Sequence, residues 1–86
     1  MAEWTREALA ERVLEILRDG LLDVGPDFGA RSNLVEAGLD SLAVTQLMLS
    51  IEELTGLWVD ESQLTPENLE SAESLAACVH DQLARA

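Results

Sequence analysis

Few side chains in this 86-residue chain are of a type that does chemistry, and Ser41 is the most prominent of them. It stands between Asp40 and Leu42, where a long loop is predicted to meet a helix. If Asp40 caps that helix, Ser41 lies in the first turn, where unpaired backbone N–H groups and the helix dipole favour a phosphate on its hydroxyl. An Asp-Ser pair is also a common plain helix start, so the dipeptide alone favours that simpler interpretation.

The other two reactive side chains, Cys78 and His80, are the only cysteine and the only histidine. A zinc site built from Cys and His therefore cannot be assembled. The two residues are two apart in a predicted helix, so they also face different directions. We interpret Cys78 as a small packed apolar residue and His80 as a solvated residue near a helix end. A hydrolase with Ser41 as its nucleophile is disfavoured, because the sole histidine lies on the last helix.

The composition excludes several classes of function. The chain has 17 acidic and 5 basic residues and a formal net charge of -12, so it repels nucleic acid and anionic membranes. A chain this short buries only about 60 to 65% of its unfolded surface, which leaves no room for a deep substrate pocket and argues against an enzyme. The 48% of hydrophobic residues is nevertheless enough for a folded domain.

The same features predict the compartment and the oligomeric state. Residues 1–7 lack the basic region and apolar run of a secretory signal, so we expect a cytoplasmic protein. A monomer is expected because like-charged copies repel one another.

The spacing of apolar residues predicts a single all-α domain over residues 1–86, with three main helices and one short one. The first helix is expected over about 5–18, before Gly20, and a long ordered loop then leads to about Asp40. The second helix runs from Asp40 or Ser41 to about Thr55, where Gly56 provides the stop. A short helical turn is placed between 60 and 69, and the last helix begins near Ser71. The residues predicted to face the core are Leu9, Val13, Ile16, Leu17, Phe28, Leu34, Val35, Leu39, Val44, Leu47, Met48, Ile51, Leu54, Leu75, Ala76, Val79 and Leu83.

Two leucines of the second helix fall outside this core face. Leu42 and Leu49 are seven residues apart and therefore share one stripe of the helix surface. Polar residues border this stripe: Thr45, Gln46, Glu52 and Glu53. The stripe is a candidate contact surface for another protein.

The segment 33–44, with Gly38-Leu39-Asp40-Ser41-Leu42 at its centre, resembles the attachment motif of acyl and peptidyl carrier proteins. Further along, 51–56, 58–69 and 71–76 are similar to the end of that family's second helix, its third-helix region and the start of its last helix. The resemblance covers residues 9 to 83 and implies an acyl-carrier-protein-like four-helix bundle. It also implies that the protein is not an enzyme.

In that family a transferase moves 4'-phosphopantetheine from coenzyme A onto the serine after the aspartate, which here is Ser41 after Asp40. The resemblance implies that the arm carries an acyl or aminoacyl group as a thioester. The implied partners are the phosphopantetheinyl transferase, a loading ligase or synthetase, and downstream synthase or transferase enzymes. The expected docking residues are Leu42, Thr45, Met48 and Leu49 for apolar contact, with Asp40, Glu52 and Glu53 for steering toward basic partners. Met48 has two interpretations, since its spacing also fits the core.

Two departures from the family pattern narrow the expected pathway. Acids usually follow the motif in carriers of the fatty-acid type, whereas 43–46 is Ala-Val-Thr-Gln here. Thr55 replaces an aromatic residue before the helix-ending glycine, so Trp58 is a candidate to fill that part of the core. Both departures favour a specialised carrier for a polyketide, nonribosomal peptide or amino-acid-loading pathway.

A second function class also explains the charge, the bundle and the apolar stripe. The chain could be an acidic helical adaptor that binds basic proteins and is never modified. Only the carrier hypothesis requires Ser41 to be solvent-exposed at a helix N-terminus.

Overall fold

A computed structural model describes residues 4–85 of the chain, apart from the side chain of Glu61. It contains three α-helices: α1 (Arg6–Ile16), α2 (Ser41–Thr55) and α3 (Ala72–Arg85). A π-helical turn, Leu17–Leu21, extends α1, and a 3-10 turn, Glu61–Gln63, stands in the connection between α2 and α3. The described residues contain no strand, which confirms the all-α prediction, and the short fourth helix is this single 3-10 turn. Residues 1–3, part of the segment used to predict the compartment, lie outside the described residues.

The boundaries of α1 follow from local chemistry. The Thr5 hydroxyl caps the helix by accepting a hydrogen bond from the N–H of Ala8 at 3.0 Å. At the other end, Gly20 adopts a φ of 153° that side-chain-bearing residues rarely reach. This glycine allows the chain to leave the helix, and Leu22, two residues later, is buried in the core.

The core lies among the three helices, and α1 packs mainly against α3 and also against α2. Apolar side chains from all three helices and both long connections meet there, because only joint burial removes their surface from water. The fully buried larger members are Leu9, Val13, Leu17, Leu34, Leu47, Ile51, Val59, Leu75 and Val79. Four predicted core residues lie at its edge and are only partly buried: Ile16, Leu39, Val44 and Leu83. Leu54, also predicted to face the core, is only partly buried.

The long segment before α2 is fixed to the bundle by two buried side chains. Phe28 and Leu34 are buried, as predicted. The N–H of Leu34 also donates to the carbonyl of Glu70 at 2.9 Å, and the N–H of Glu73 donates to the carbonyl of Ala30 at 2.8 Å. These cross-connections make the segment an ordered part of the fold that leads directly to Ser41.

The connection from α2 to α3 contains paired serine caps. The hydroxyl of Ser71 accepts from the N–H of Ser74 at 3.1 Å, and the hydroxyl of Ser74 accepts from the N–H of Ser71 at 3.0 Å. This reciprocal arrangement satisfies two backbone donors and fixes the start of α3. Thr65 similarly accepts from the N–H of Asn68 at 3.2 Å, before the turn that Pro66 opens.

Two core predictions are wrong. Val35 is 66% exposed, because it follows Leu34 in a tight turn and only Leu34 points inward. Trp58 is 49% exposed and does not fill the core near Thr55, since the neighbouring Val59 occupies the buried position. Ala43, whose small side chain is buried in the first turn of α2, was not predicted as a core residue.

No helix among residues 4–85 combines the length and apolar character needed to cross a bilayer.

Two leucines of α2 provide a direct test of this packing. Replacing the fully buried Leu47 by alanine is expected to lower the free energy of unfolding by about 3 kcal/mol, because it leaves a cavity. The matched change Leu42→Ala removes an exposed side chain and is expected to cost less than about 0.5 kcal/mol. Urea unfolding followed by circular dichroism measures both. Equal losses would mean that the helix is rotated relative to the core described here.

Candidate functional site

Ser41 is the first residue of α2, and its side chain is exposed to solvent. The preceding residue, Asp40, has an extended backbone, and its carboxylate accepts a hydrogen bond from the N–H of Ala43 at 2.8 Å. The carbonyl of Asp40 accepts from the N–H of Val44 at 2.9 Å. The cap therefore fixes where the helix begins and holds Ser41 at a constant position on its first turn.

The first turn of α2 is well suited to an anion on the Ser41 hydroxyl. Helix geometry leaves the N–H groups of Ser41 and Leu42 without a partner inside the helix. These N–H groups and the helix dipole place partial positive charge beside the hydroxyl, which stabilises a phosphate bound there. The Thr45 hydroxyl donates to the carbonyl of Ser41 at 3.0 Å and so adds a second contact to the same turn.

An open apolar groove of about 640 Å³ lies beside Ser41. Its walls come from three separate parts of the chain: the turn before α2, the first turns of α2, and the segment before α3. The residues that line it are Val35, Leu39, Asp40, Ser41, Val44, Thr45, Leu64, Pro66 and Leu69. Leu64, Pro66 and Leu69 were not predicted as part of the site, because only tertiary folding brings that segment next to Ser41.

The outer face of α2 agrees with the predicted stripe. Leu42 is 67% exposed and Leu49 is 49% exposed, although both are large hydrophobic residues. Thr45, Glu52 and Glu53 are exposed as well. Leu42, Thr45, Leu49, Glu52 and Glu53 are thus available on one accessible surface, which also carries Ser41 at its N-terminal end.

Met48 does not belong to this surface. It is only 2% exposed and packs in the core with Leu47 and Ile51. On the helix it follows the same face as Val44 and Ile51 and not the face of Leu42 and Leu49, which is why its side chain points inward. The expected docking contact at Met48 is therefore wrong, and its alternative interpretation as a core residue is confirmed.

Cys78 and His80 lie on α3, and neither is among the residues that line the groove beside Ser41. Cys78 is half-buried, and its burial, assisted by the nearby charge of Asp81, raises the pKa of the thiol above its ordinary value. The thiol therefore stays protonated at neutral pH and behaves as a packing residue. Within residues 4–85 no group of three His, Cys, Asp or Glu side chains could hold a metal ion.

The comparison with protein families agrees with this geometry. Residues 7–79 match the family described as "phosphopantetheine attachment site". The match includes the capped turn with Ser41, the groove beside it and most of α3.

Curated relatives include Aminoacyl carrier protein 1 and Aminoacyl carrier protein 2 of Bradyrhizobium diazoefficiens. The first is 32% identical over 75 residues, which are 84% of this chain and 82% of the relative. The second is 32% identical over 74 residues, which are 84% of this chain and 83% of the relative.

Solved structures that contain a similar chain include two complexes of a ligase. One is an engineered glycine:[carrier protein] ligase of Bradyrhizobium japonicum complexed with carrier protein from Agrobacterium tumefaciens and ATP. The matching chain has a TM-score of 0.68 and 29% sequence identity, and the match covers 83% of this chain and 95% of the matching chain. The other is the Bradyrhizobium japonicum glycine:[carrier protein] ligase complexed with glycylated carrier protein. The matching chain has a TM-score of 0.61 and 27% sequence identity, and the match covers 85% of this chain and 96% of the matching chain.

The arrangement fits phosphopantetheine well, because it offers an exposed primary hydroxyl on a turn that stabilises a phosphate, with open space beside it for a long arm. Together with the family match over most of its length, this arrangement shows that the chain belongs to the phosphopantetheine-attachment family of carrier proteins.

Proposed function

We propose that this protein carries aminoacyl groups and that Ser41 is the residue to which its 4'-phosphopantetheine arm is attached. The single observation that carries the proposal is the exposed Ser41 hydroxyl on the first turn of α2, next to the capping carboxylate of Asp40. The family match supports the identity of the attached group, and the capped helix start supports its place.

The chain's own residues would do two things in this function, and the arm would do a third. The first turn of α2 stabilises the phosphate diester on Ser41 through its free N–H groups. Asp40 keeps that turn folded by satisfying the N–H of Ala43. The thiol at the end of the arm supplies the thioester linkage to the cargo, so the protein itself is a carrier and not a catalyst.

The relatives favour an amino acid as the cargo. Both curated relatives are named as aminoacyl carrier proteins, and the similar solved chains are in complexes with a glycine:[carrier protein] ligase. The absence of acids at 43–46 also distinguishes this chain from carriers of the fatty-acid type. We therefore place it in a pathway in which a ligase loads an amino acid, and not in primary fatty-acid synthesis.

The outer face of α2 is the proposed docking surface for the loading ligase and for downstream enzymes. Leu42 and Leu49 provide exposed apolar area, and Thr45 lies beside them. No lysine or arginine lies between Arg31 and Arg85, so this half of the chain attracts partners with basic surfaces. Glu52 and Glu53 provide negative charge on the docking surface itself, at its C-terminal end.

Two further properties belong to the proposal. Residues 1–86 act as a single monomeric domain, because the net charge of -12 opposes self-association. The protein works in the cytoplasm, where the reducing environment keeps a carrier thiol free to form thioesters.

The attachment site is tested by the variant Ser41→Ala. Incubation with coenzyme A and a broad-specificity phosphopantetheinyl transferase is expected to add the mass of one phosphopantetheine to the wild type and none to Ser41→Ala. The variant should unfold within about 0.5 kcal/mol of the wild type, since only an exposed hydroxyl is lost. Intact-mass spectrometry and urea unfolding measure the two effects.

The matched control is Ser62→Ala, which removes another exposed serine and should leave the modification unchanged. If folded wild type gains no mass with several transferases, the carrier proposal fails, and the unmodified acidic adaptor becomes the better account.

The docking surface is tested by Leu42→Ala and Leu49→Ala. Each is expected to raise the KM for loading by an amino acid:[carrier protein] ligase by about ten-fold, as the loss of one buried anchor of an interface typically does. The melting temperature should change little, because both side chains are exposed. A large fall in melting temperature with an unchanged KM would place these leucines in the core and remove them from the docking surface.

Electrostatic steering is tested by the double variant Glu52→Gln/Glu53→Gln. It is expected to slow association with a basic partner enzyme several-fold at low salt, with the difference shrinking as the ionic strength rises. The control Glu7→Gln/Glu11→Gln removes the same charge from exposed positions on α1 and should have a smaller effect. The association rate is measured by stopped flow. Equal slowing by the α2 double variant and the α1 double variant would contradict local steering.

A further inference from the structure

Val35 is an unexpected feature of the surface around Ser41. Val35 is 66% exposed, and among the large hydrophobic residues that the structure describes only Leu42, at 67%, is as exposed. Scattered exposed apolar residues are common on proteins, so exposure alone indicates nothing. The significance of Val35 lies in how rigidly it is held and in where it stands.

The turn that presents Val35 is fixed on both sides. Asn33 opens it by accepting a hydrogen bond from the N–H of Glu36 at 2.8 Å through its side-chain oxygen. Gly38 closes it at a φ of 108°, and the N–H of Leu39 donates to the carbonyl of Leu34 at 2.9 Å. Leu34, directly before Val35, is fully buried and anchors the turn to the bundle. Because valine is also stiff at χ1, contact with Val35 costs little conformational entropy.

Val35 and Leu42 lie on different parts of the surface next to Ser41. Val35 lines the groove beside Ser41, together with Val44 and Thr45 of α2. Leu42 does not line this groove, because the step of about 100° per residue in a helix turns it toward the other side of Ser41. A partner that touches both side chains therefore has to span the first turn of α2, on which Ser41 lies.

We propose that Val35 and Leu42 together form the contact surface for the phosphopantetheinyl transferase, with Val35 as a recognition residue. This proposal rests on the carrier function proposed above. In the transfer, the Ser41 oxygen forms a bond to the phosphorus that bears the pantetheine half of coenzyme A. The pyrophosphate P–O bond of coenzyme A breaks, 3',5'-ADP leaves, and the hydroxyl proton passes to a base of the transferase.

The atom at which each partner enzyme reacts indicates which of them this surface fits. The transferase reacts at the Ser41 oxygen itself, so its active site must close over both flanking side chains. Enzymes that act on the cargo work at the far end of a long arm and can dock along α2 without reaching Val35. Charge agrees with this choice, since Glu36 and Asp40 lie beside the surface and an enzyme that binds the phosphates of coenzyme A is basic around its site.

The proposal is tested with two variants, one that keeps the size and shape of residue 35 and one that keeps its apolar character. Val35→Thr is isosteric and β-branched but replaces a methyl group by a hydroxyl, and Val35→Leu keeps an apolar side chain. With coenzyme A and a broad-specificity transferase, Val35→Thr is expected to lower kcat/KM for modification by about five-fold, through KM, because apolar burial is lost. Val35→Leu should stay within about two-fold of the wild type. Modification is followed by intact-mass spectrometry at varied protein concentration.

Two results would overturn the role of Val35. The first is a kcat/KM for Val35→Thr equal to that of a wild type that is readily modified. The second is an equal loss of kcat/KM in Val35→Thr and Val35→Leu, which would indicate a disturbed turn and not a lost apolar contact. Both results differ from failure of the carrier function itself, in which the wild type gains no mass. Melting temperatures of the variants show whether the turn remains folded.

Discussion

The position of Ser41 depends on how the chain enters α2. The carboxylate of Asp40 satisfies the N–H of Ala43, and the backbone turns from extended to helical at that residue. The segment before it is anchored by the buried Leu34, whose N–H bonds to the carbonyl of Glu70 in the segment before α3. Because the cap and the anchor act together, the serine hydroxyl is presented to solvent at a fixed place while the helix behind it remains buried in the core.

The distribution of charge along the chain is also related to the position of Ser41. A domain of this size has a small core, so the proposed function depends on the surface of the protein and not on a deep pocket. The five arginines lie at or before Arg31 and at Arg85, which leaves α2 and the groove beside Ser41 in a part of the chain without positive side chains. In the function proposed above, negative charge there would attract basic enzymes, and the exposed Leu42 and Leu49 would provide the short-range contact with them.

Much of the fold could be predicted because its determinants are local. The start of α2 at Ser41 and its end before Gly56 follow from a capping carboxylate and a glycine, and the buried face of the helix follows from its spacing. Val35 and Trp58 were predicted wrongly because both stand in irregular segments, where no periodicity indicates which side chain points inward. Met48 lay between two faces of the helix pattern, and only the packing of the other helices decides that it is buried. The groove beside Ser41 needs Leu64, Pro66 and Leu69 from a distant segment, so no local pattern could reveal it.

The central claim is that one particular hydroxyl, that of Ser41, receives the arm. The chain has six serines, and only the N-terminus of α2 gives one of them an exposed hydroxyl on a capped first turn beside an open groove. The most direct measurement is fragmentation mass spectrometry of the wild-type protein after incubation with coenzyme A and a phosphopantetheinyl transferase, to locate the added mass along the chain. We predict one phosphopantetheine, on Ser41. Added mass on any other residue, or none on folded protein, would contradict this account of the site.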